Sequence, residues 1–249
     1  PGMMPAAAGM TTFNLVITNL GDGSPASGLA VSLMPMMHMA TMGHSSPVGA
    51  VVEDRTQPGT YNCTVYYLMA SEMPDGTSLG YWDLKVLING MMGESATLFP
   101  RVGMPMDTST VRALLKGQND TIAGMIGPEK RSYYIFYKRV TTTSFSFFIA
   151  AKESMMSYPA VSKGTVLHDV SGTAWTVDPI RVSVSTDGMA WVPARNKKNG
   201  NWSASGLSGL SSGNTATIFV KVVVNGEKKT IDGTSTGGSN GYATFTVTP

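Results

Sequence analysis

Short alternations of apolar and polar residues, broken by glycine, proline, asparagine and aspartate, recur along the whole chain. Alternation with a period of two is typical of β-strands that bury one face. No long stretch holds the 3.6-residue period of an amphipathic helix, although residues 110–116 fit either a helical turn or a strand. The pattern predicts strands at 13–19, 29–33, 48–53, 60–68, 81–88 and 95–99, and a second set at 133–139, 144–150, 180–185, 190–193, 216–224 and 242–246.

The two sets of strands predict an all-β fold made of two tandem immunoglobulin-like β-sandwich domains, residues 1–105 and 106–249. An echo between the halves fits this division, because KVLING at 85–90 matches KVVVNG at 221–226. The echo has two interpretations. Either the halves arose by duplication, or any two sandwiches share valine-rich strands and Asn-Gly turns.

Composition narrows the classes of function. The net charge is +2 and no basic run is present, so the chain lacks the charge pattern of a nucleic-acid-binding protein. No apolar stretch approaches the ~18–20 residues that a membrane helix needs. Charged residues make up only 14% of a chain rich in threonine, serine and glycine, which favours an extracytoplasmic protein: periplasmic, cell-surface or secreted.

The single cysteine, Cys63, is predicted to be a buried core thiol. Strand alternation places it on one face with Tyr61 and Val65. A blue-copper site needs a cysteine thiolate, two histidines and a weak axial methionine. No histidine follows Cys63 closely, so the core interpretation is preferred.

Methionine is unusually frequent, with 18 residues, of which 14 precede residue 107. Residues 34–44, MPMMHMATMGH, hold five thioethers and two imidazoles. Thioethers are soft, neutral ligands that select Cu(I) and, by the same logic, Ag(I), whereas imidazole suits both oxidation states of copper. We expect residues 34–44 to be a loop that binds copper, with Cu(I) favoured. The candidate ligands are Met34, Met36, Met37, His38, Met39, Met42 and His44.

Counting antiparallel strand reversals extends this set. If strands alternate in direction, residues 34–47 and 69–80 lie at the same end of the first domain. Met69 and Met73 are therefore further candidate ligands. The competing interpretation is that these methionines fill the core or form an adaptable contact surface. The same count brings Met3, Met4, Met10, Met104 and Met106 to this end and places Met91 and Met92 at the opposite one.

Three segments of the first half resemble the YtkA-like/FixH-like domains. They are VSLMPMMHM at 31–39, GTY at 59–61 and GYWDLKV at 80–86, and the resemblance spans roughly residues 10–100. It implies an extracytoplasmic β-sandwich linked to copper handling. Its ligand positions carry over to Met34, Met36 and His38, and also to Met42 and His44.

No catalytic constellation stands out, and we expect a protein that is not an enzyme. Three Gly-x-Ser-x-Gly matches lack the strand–turn–helix context of a nucleophile elbow. Two functions stay open. The first is a copper-binding chaperone, scavenger or accessory, whose partner is a copper-donor or copper-acceptor protein. The second is a structural cell-surface or filament-associated protein that belongs to a surface assembly. The lysine pairs at 197–198 and 228–229 are expected to be solvated hairpin charges.

Overall fold

A computed structural model describes residues 6–90, 93–105, 110–234 and 238–249. These residues are almost entirely strands and turns, with one short 3₁₀ segment at Gly238–Gly241. The chain divides into two compact units, Pro1–Met104 (unit 1) and Pro105–Pro249 (unit 2). The all-β prediction is confirmed.

Unit 1 is built from nine described strands. They are β1 (Ala6–Ala7), β2 (Gly9–Val16), β3 (Val31–His38), β4 (Gly43–Ser45), β5 (Val52–Glu53), β6 (Thr60–Tyr67), β7 (Tyr81–Ile88), β8 (Ser95–Leu98) and β9 (Val102–Gly103). One antiparallel sheet has the order β2-β6-β5 and the other β4-β3-β7-β8, while β1 pairs with β9. Both larger sheets contribute side chains to one apolar core, so unit 1 is a β-sandwich.

The core of unit 1 follows the two-residue period of its strands. In β6, Tyr61, Cys63, Val65 and Tyr67 are all buried in this core, as the alternation predicts. The prediction that Cys63 is a core thiol is therefore confirmed. β7 begins and ends where the pattern predicts, and it contributes Trp82 as the largest fully buried side chain.

The predicted end of the third strand is wrong. We expected a strand at 29–33 followed by a loop, but β3 continues to His38 and pairs with β7 along its whole length. Pro35 is tolerated because its carbonyl accepts a hydrogen bond from Ser45 Oγ at 2.8 Å, on the side of β4. The position of its missing N–H is therefore on the β4 side of β3, just beyond the last β3–β4 pair, Met36–Ser45. No hydrogen bond between β3 and β7 is lost.

Unit 2 is also built from antiparallel sheets around its own core. Its strands are β10 (Arg112–Ala123), β11 (Pro128–Val140), β12 (Ser144–Ala151), β13 (Val166–His168), β14 (Ala174–Thr176), β15 (Ile180–Ser185), β16 (Val192–Pro193), β17 (Arg195–Asn196), β18 (Asn201–Ser205), β19 (Ala216–Val224), β20 (Glu227–Lys228) and β21 (Ala243–Val247). The sheet orders are β10-β11-β12-β18-β17 and β16-β15-β19-β20, with β21 also paired to β19 and a separate β13-β14 hairpin. The ambiguous residues 110–116 belong mostly to strand β10.

Two glycines have the same role in the two units. Gly59 and Gly200 each adopt a positive φ just before an inward-facing aromatic residue, Tyr61 and Trp202 respectively. A Cβ at Gly59 would lie 2.8 Å from a backbone carbonyl oxygen, and one at Gly200 would lie 2.7 Å from another. The likeness is local, and internal duplication stays a prediction.

Candidate metal centre

The methionine-rich segment forms a β-hairpin rather than the expected loop. β3 carries Met34, Met36, Met37 and His38, and β4 carries His44. Between the strands, the Met39 N–H donates to the Met42 carbonyl at 2.9 Å and closes a tight turn. Three of the five sulfurs therefore lie along a strand, and only those of Met39 and Met42 lie in a turn.

Strand alternation divides the predicted ligands between the two faces of the sheet. Met37 points inward and is fully buried in the core, whereas Met34 on the outer face is 42% exposed. Met36 and His38 share the outer face with Met34 by their spacing. With a rise of about 3.3 Å per residue, Met34 lies roughly 13 Å from His38 along the strand. The structure thus does not bring the residues of β3 into one coordination sphere.

His38 has partners on the outer face. Its Nε2 lies 2.7 Å from Asp83 Oδ2, and its ring stacks on Tyr81 with a centroid distance of 4.7 Å. Asp83 and Tyr81 belong to β7, opposite Met36 and His38 in the register. This arrangement orients His38 away from the core side of the sheet, where His44 lies.

His44 places a ring nitrogen in contact with a methionine sulfur, that of Met69. It is buried opposite Met37 in the β3–β4 register, with only 7% of its surface exposed. Its Nδ1 lies 2.8 Å from the backbone carbonyl oxygen of Ser45, and its Nε2 lies 3.4 Å from Met69 Sδ. Because a carbonyl only accepts hydrogen bonds, Nδ1 carries the proton in this contact. In the neutral ring Nε2 is then the basic nitrogen, and it faces the thioether.

Trp82 contacts both His44 and Met69. Its indole Nε1–H donates to the Met69 carbonyl at 3.1 Å and so holds the backbone just after β6. Its ring also meets the His44 ring edge-on at a centroid distance of 5.4 Å. Histidine ligands of metals commonly donate their second ring N–H to a carbonyl or carboxylate, which fixes tautomer and orientation. The contact between His44 and Ser45 has this form.

The separation of Nε2 and Sδ suits a shared ion. With metal–nitrogen and metal–sulfur bonds of about 2.0 and 2.3 Å, a 3.4 Å separation corresponds to an N–metal–S angle of about 105°. This angle is close to tetrahedral, so the separation of the two atoms is compatible with a shared ion. The two residues are 25 positions apart in sequence: His44 lies in β4, and Met69 lies just after β6, a strand of the other sheet.

Three other predicted ligands, Met39, Met42 and Met73, lie in turns and differ in how exposed they are. Met39 is partly buried against the core, and Met42, in the same turn, is 41% exposed. Met73 is 42% exposed in a separate turn, in which its N–H donates to the Thr77 carbonyl. Within the described ranges, no group of three or more histidine, cysteine, aspartate or glutamate side chains is arranged to hold a metal. Met3, Met4, Met91, Met92 and Met106 lie outside the described residues.

Cys63 does not join the site. Burial raises the pKa of its thiol to about 11, and only 2% of the residue is exposed. A thiolate is the form that binds metals, so this environment disfavours coordination.

Unit 2 holds a buried charged cluster that the sequence did not indicate. Arg131 is fully buried and pairs with Asp120 and Glu153, each at 2.8 Å. Lys229 is only 1% exposed and pairs with Glu227 at 2.8 Å and Asp120 at 3.3 Å. The expectation that Lys229 is a solvated hairpin charge is therefore wrong. One signal existed: Arg131 has the same strand parity as the core residues Tyr133 and Ile135.

No protein-family model, curated protein or solved structure matches this chain. Across the described part of the chain, no helix has the length and apolar character needed to cross a bilayer.

Proposed function

We propose that unit 1 is an extracytoplasmic copper-binding module that holds Cu(I) between His44 Nε2 and Met69 Sδ. The observation that supports it is the 3.4 Å approach of these two atoms, together with the Nδ1 contact that leaves Nε2 as the basic nitrogen of the neutral ring. The module would act as a chaperone, scavenger or accessory and not as an enzyme. We further infer that it is a YtkA-like/FixH-like domain, and that both units are immunoglobulin-like sandwiches.

Ligand softness favours Cu(I) among metal ions. A thioether is soft and uncharged, and an imidazole is compatible with Cu(I). A monovalent ion also brings less charge than a divalent one into a site where His44 is 7% exposed. The same properties fit Ag(I), which makes silver a useful spectroscopically silent probe.

A third ligand would come from the hairpin turn. Met39 and Met42 flank the turn that leads directly into β4, and Met42 is exposed enough to meet an incoming ion. Met34, Met36 and His38 lie on the other face of the sheet and would not complete this site. A copper-donor or copper-acceptor protein would then approach the turn and exchange ligands with Met42.

Cu(I) competition tests the proposal. The full chain is titrated against a colorimetric Cu(I) chelator, and His44→Gln and Met69→Leu are compared with Met34→Leu as a matched control. We expect at least a tenfold loss of affinity for each site variant and no change for the control, since the loss of even a hydrogen-bond partner of a metal ligand typically lowers metal affinity by about 10- to 100-fold. Unchanged retention in the His44→Gln/Met69→Leu double variant would remove the basis for the proposal.

The structural alternative also has an observation in its favour. Tyr81 and Phe99 expose 54% and 71% of their surfaces and place their ring centroids 6.5 Å apart, and Met34 is 42% exposed further along the outer face of the β3–β7 sheet. Exposed apolar patches of this kind mark contact surfaces. A surface or filament protein predicts self-association of the metal-free chain, which sedimentation would detect and which Tyr81→Ser would abolish.

A further inference from the structure

The buried cluster of unit 2 places an amine beside a carboxyl group. Lys229 follows β20, Asp120 lies in β10, and Lys229 Nζ is 3.3 Å from Asp120 Oδ2. Lysine is rarely buried as deeply as the 1% exposure seen here. The Lys229 ammonium also lies 4.7 Å from the ring centre of Tyr133, so an aromatic wall covers one side of it.

A second carboxylate is in position to move a proton. Glu227 Oε1 lies 2.8 Å from Lys229 Nζ. The Glu227 carboxylate is held in place by the backbone N–H groups of Gln118 and Asn119, at 2.8 and 3.1 Å. It therefore contacts the ammonium from a fixed position and can act as its base.

The carboxyl group of Asp120 is polarised at both oxygens. Oδ1 accepts a hydrogen bond from Arg131 Nε at 2.8 Å, and Oδ2 accepts one from the Tyr133 hydroxyl at 2.5 Å. Arg131 can thus stabilise negative charge that develops on Oδ1, while Tyr133 can deliver a proton to Oδ2. The Lys229 amine is therefore in direct contact with both carboxyl groups, at 3.3 Å from Asp120 Oδ2 and 2.8 Å from Glu227 Oε1.

We propose that Lys229 and Asp120 condense to an intramolecular isopeptide bond. Glu227 takes a proton from the Lys229 ammonium, and the resulting amine attacks Asp120 Cγ. The Nζ–Cγ bond forms and the Cγ–Oδ2 bond breaks. Oδ2 leaves as water after it receives the proton held by Glu227 and a second proton from Nζ, relayed by the Tyr133 hydroxyl. Nothing is oxidised or reduced, and one water is the only product released.

Burial explains why condensation is favourable here. A buried ion pair carries a desolvation cost that a neutral amide avoids. Holding the amine and carboxyl in place also supplies an effective molarity on the order of 10⁵–10⁸ M. The bond would link residues 109 positions apart, joining the β10 segment to the segment after β20.

Intact mass of the denatured full chain tests the proposal. We expect a deficit of about 18 Da, one water, in the wild type. Lys229→Arg, which keeps the charge but removes the amine, and Glu227→Gln, which removes the base, should both have the full mass. Lys152→Arg is the matched control, because Lys152 also forms a close ion pair, at 2.6 Å, but with a Glu129 side chain that is 39% exposed; the mass deficit should persist in this variant.

Tandem mass spectrometry locates the bond. A branched peptide that joins residues 120 and 229 supports the proposal. Dehydration of an Asp-Gly sequence, such as Asp187-Gly188, would give the same mass change in a linear peptide and would be reversed by mild base. Full mass in the wild type after prolonged incubation at neutral pH, or a deficit that persists in Lys229→Arg, overturns the proposal and leaves an ion-pair network.

Discussion

Met34 and Met37 lie three positions apart in β3, and truncation should destabilise unit 1 strongly at Met37 and hardly at all at Met34. Met37 is fully buried in the core of unit 1, with its Cε packed near the backbone at Gly80. Replacing a buried methionine by alanine removes most of its packing and leaves a cavity, so Met37→Ala should lower the free energy of unfolding by about 2–5 kcal/mol. Met34 is 42% exposed, and Met34→Ala should change it by less than about 0.5 kcal/mol.

Urea unfolding of unit 1 measures this difference. Trp82 is the only tryptophan before residue 105, and its indole N–H resonance follows unit 1 separately from the three tryptophans of unit 2. Met37→Leu conserves volume and should cost less than about 1.5 kcal/mol, which separates lost packing from lost sulfur. Equal effects of Met34→Ala and Met37→Ala would contradict the division of β3 into an inner and an outer face.

Three further predictions follow from single groups. Since burial raises the pKa of the Cys63 thiol to about 11, iodoacetamide at pH 8 should label it only after denaturant is added, and rapid labelling of the folded chain would contradict this environment. Gly80→Ala should cost more than about 2 kcal/mol in a thermal melt, because its Cβ would lie 2.1 Å from the His38 carbonyl oxygen, whereas Gly21→Ala, in open space, should cost far less. Burial alone would raise the pKa of the Glu227 carboxyl. Hydrogen bonds from Lys229 Nζ and from the backbone N–H groups of Gln118 and Asn119 outweigh burial and hold this pKa below its usual value. The resulting stability is present above the unfolded value of 4.5 and should fall as pH drops below it, with Glu227→Gln showing a flatter acid profile.

The sequence was most informative where polar residues made the two-residue period visible. In 60–68 the alternation identifies Tyr61, Cys63 and Val65 as inward-facing, because a strand cannot shift by one residue without exposing all of them. Residues 34–37 contain only methionine and proline, so no polar residue marks which side is outward. Pairing with β7 supplies that information, and it comes from a segment more than 40 residues later.

Non-local partners explain what else was missed. Met69 was a predicted candidate, but its pairing with His44 depends on how two sheets stack, which strand parity does not specify. In unit 2, Asp120, Arg131 and Lys229 lie in three separate parts of the chain, and apart from the strand parity of Arg131 nothing in their local sequence distinguishes them from ordinary surface charges. Only the folded chain brings them together and buries them.

The protonation states of His44 connect its environment to its proposed role. With the proton on Nε2, the ring could donate to Met69 Sδ, but the Nδ1 lone pair would then oppose the Ser45 carbonyl at 2.8 Å. With both nitrogens protonated, the ring donates a hydrogen bond to the Ser45 carbonyl and another to Met69 Sδ. The ring is then a cation, which burial disfavours because His44 is only 7% exposed. With the proton on Nδ1, the carbonyl contact is satisfied and two lone pairs converge 3.4 Å apart. A soft monovalent cation between Nε2 and Sδ would turn that last contact from repulsive to attractive and would leave the Ser45 contact in place, so the copper proposal requires this tautomer of His44.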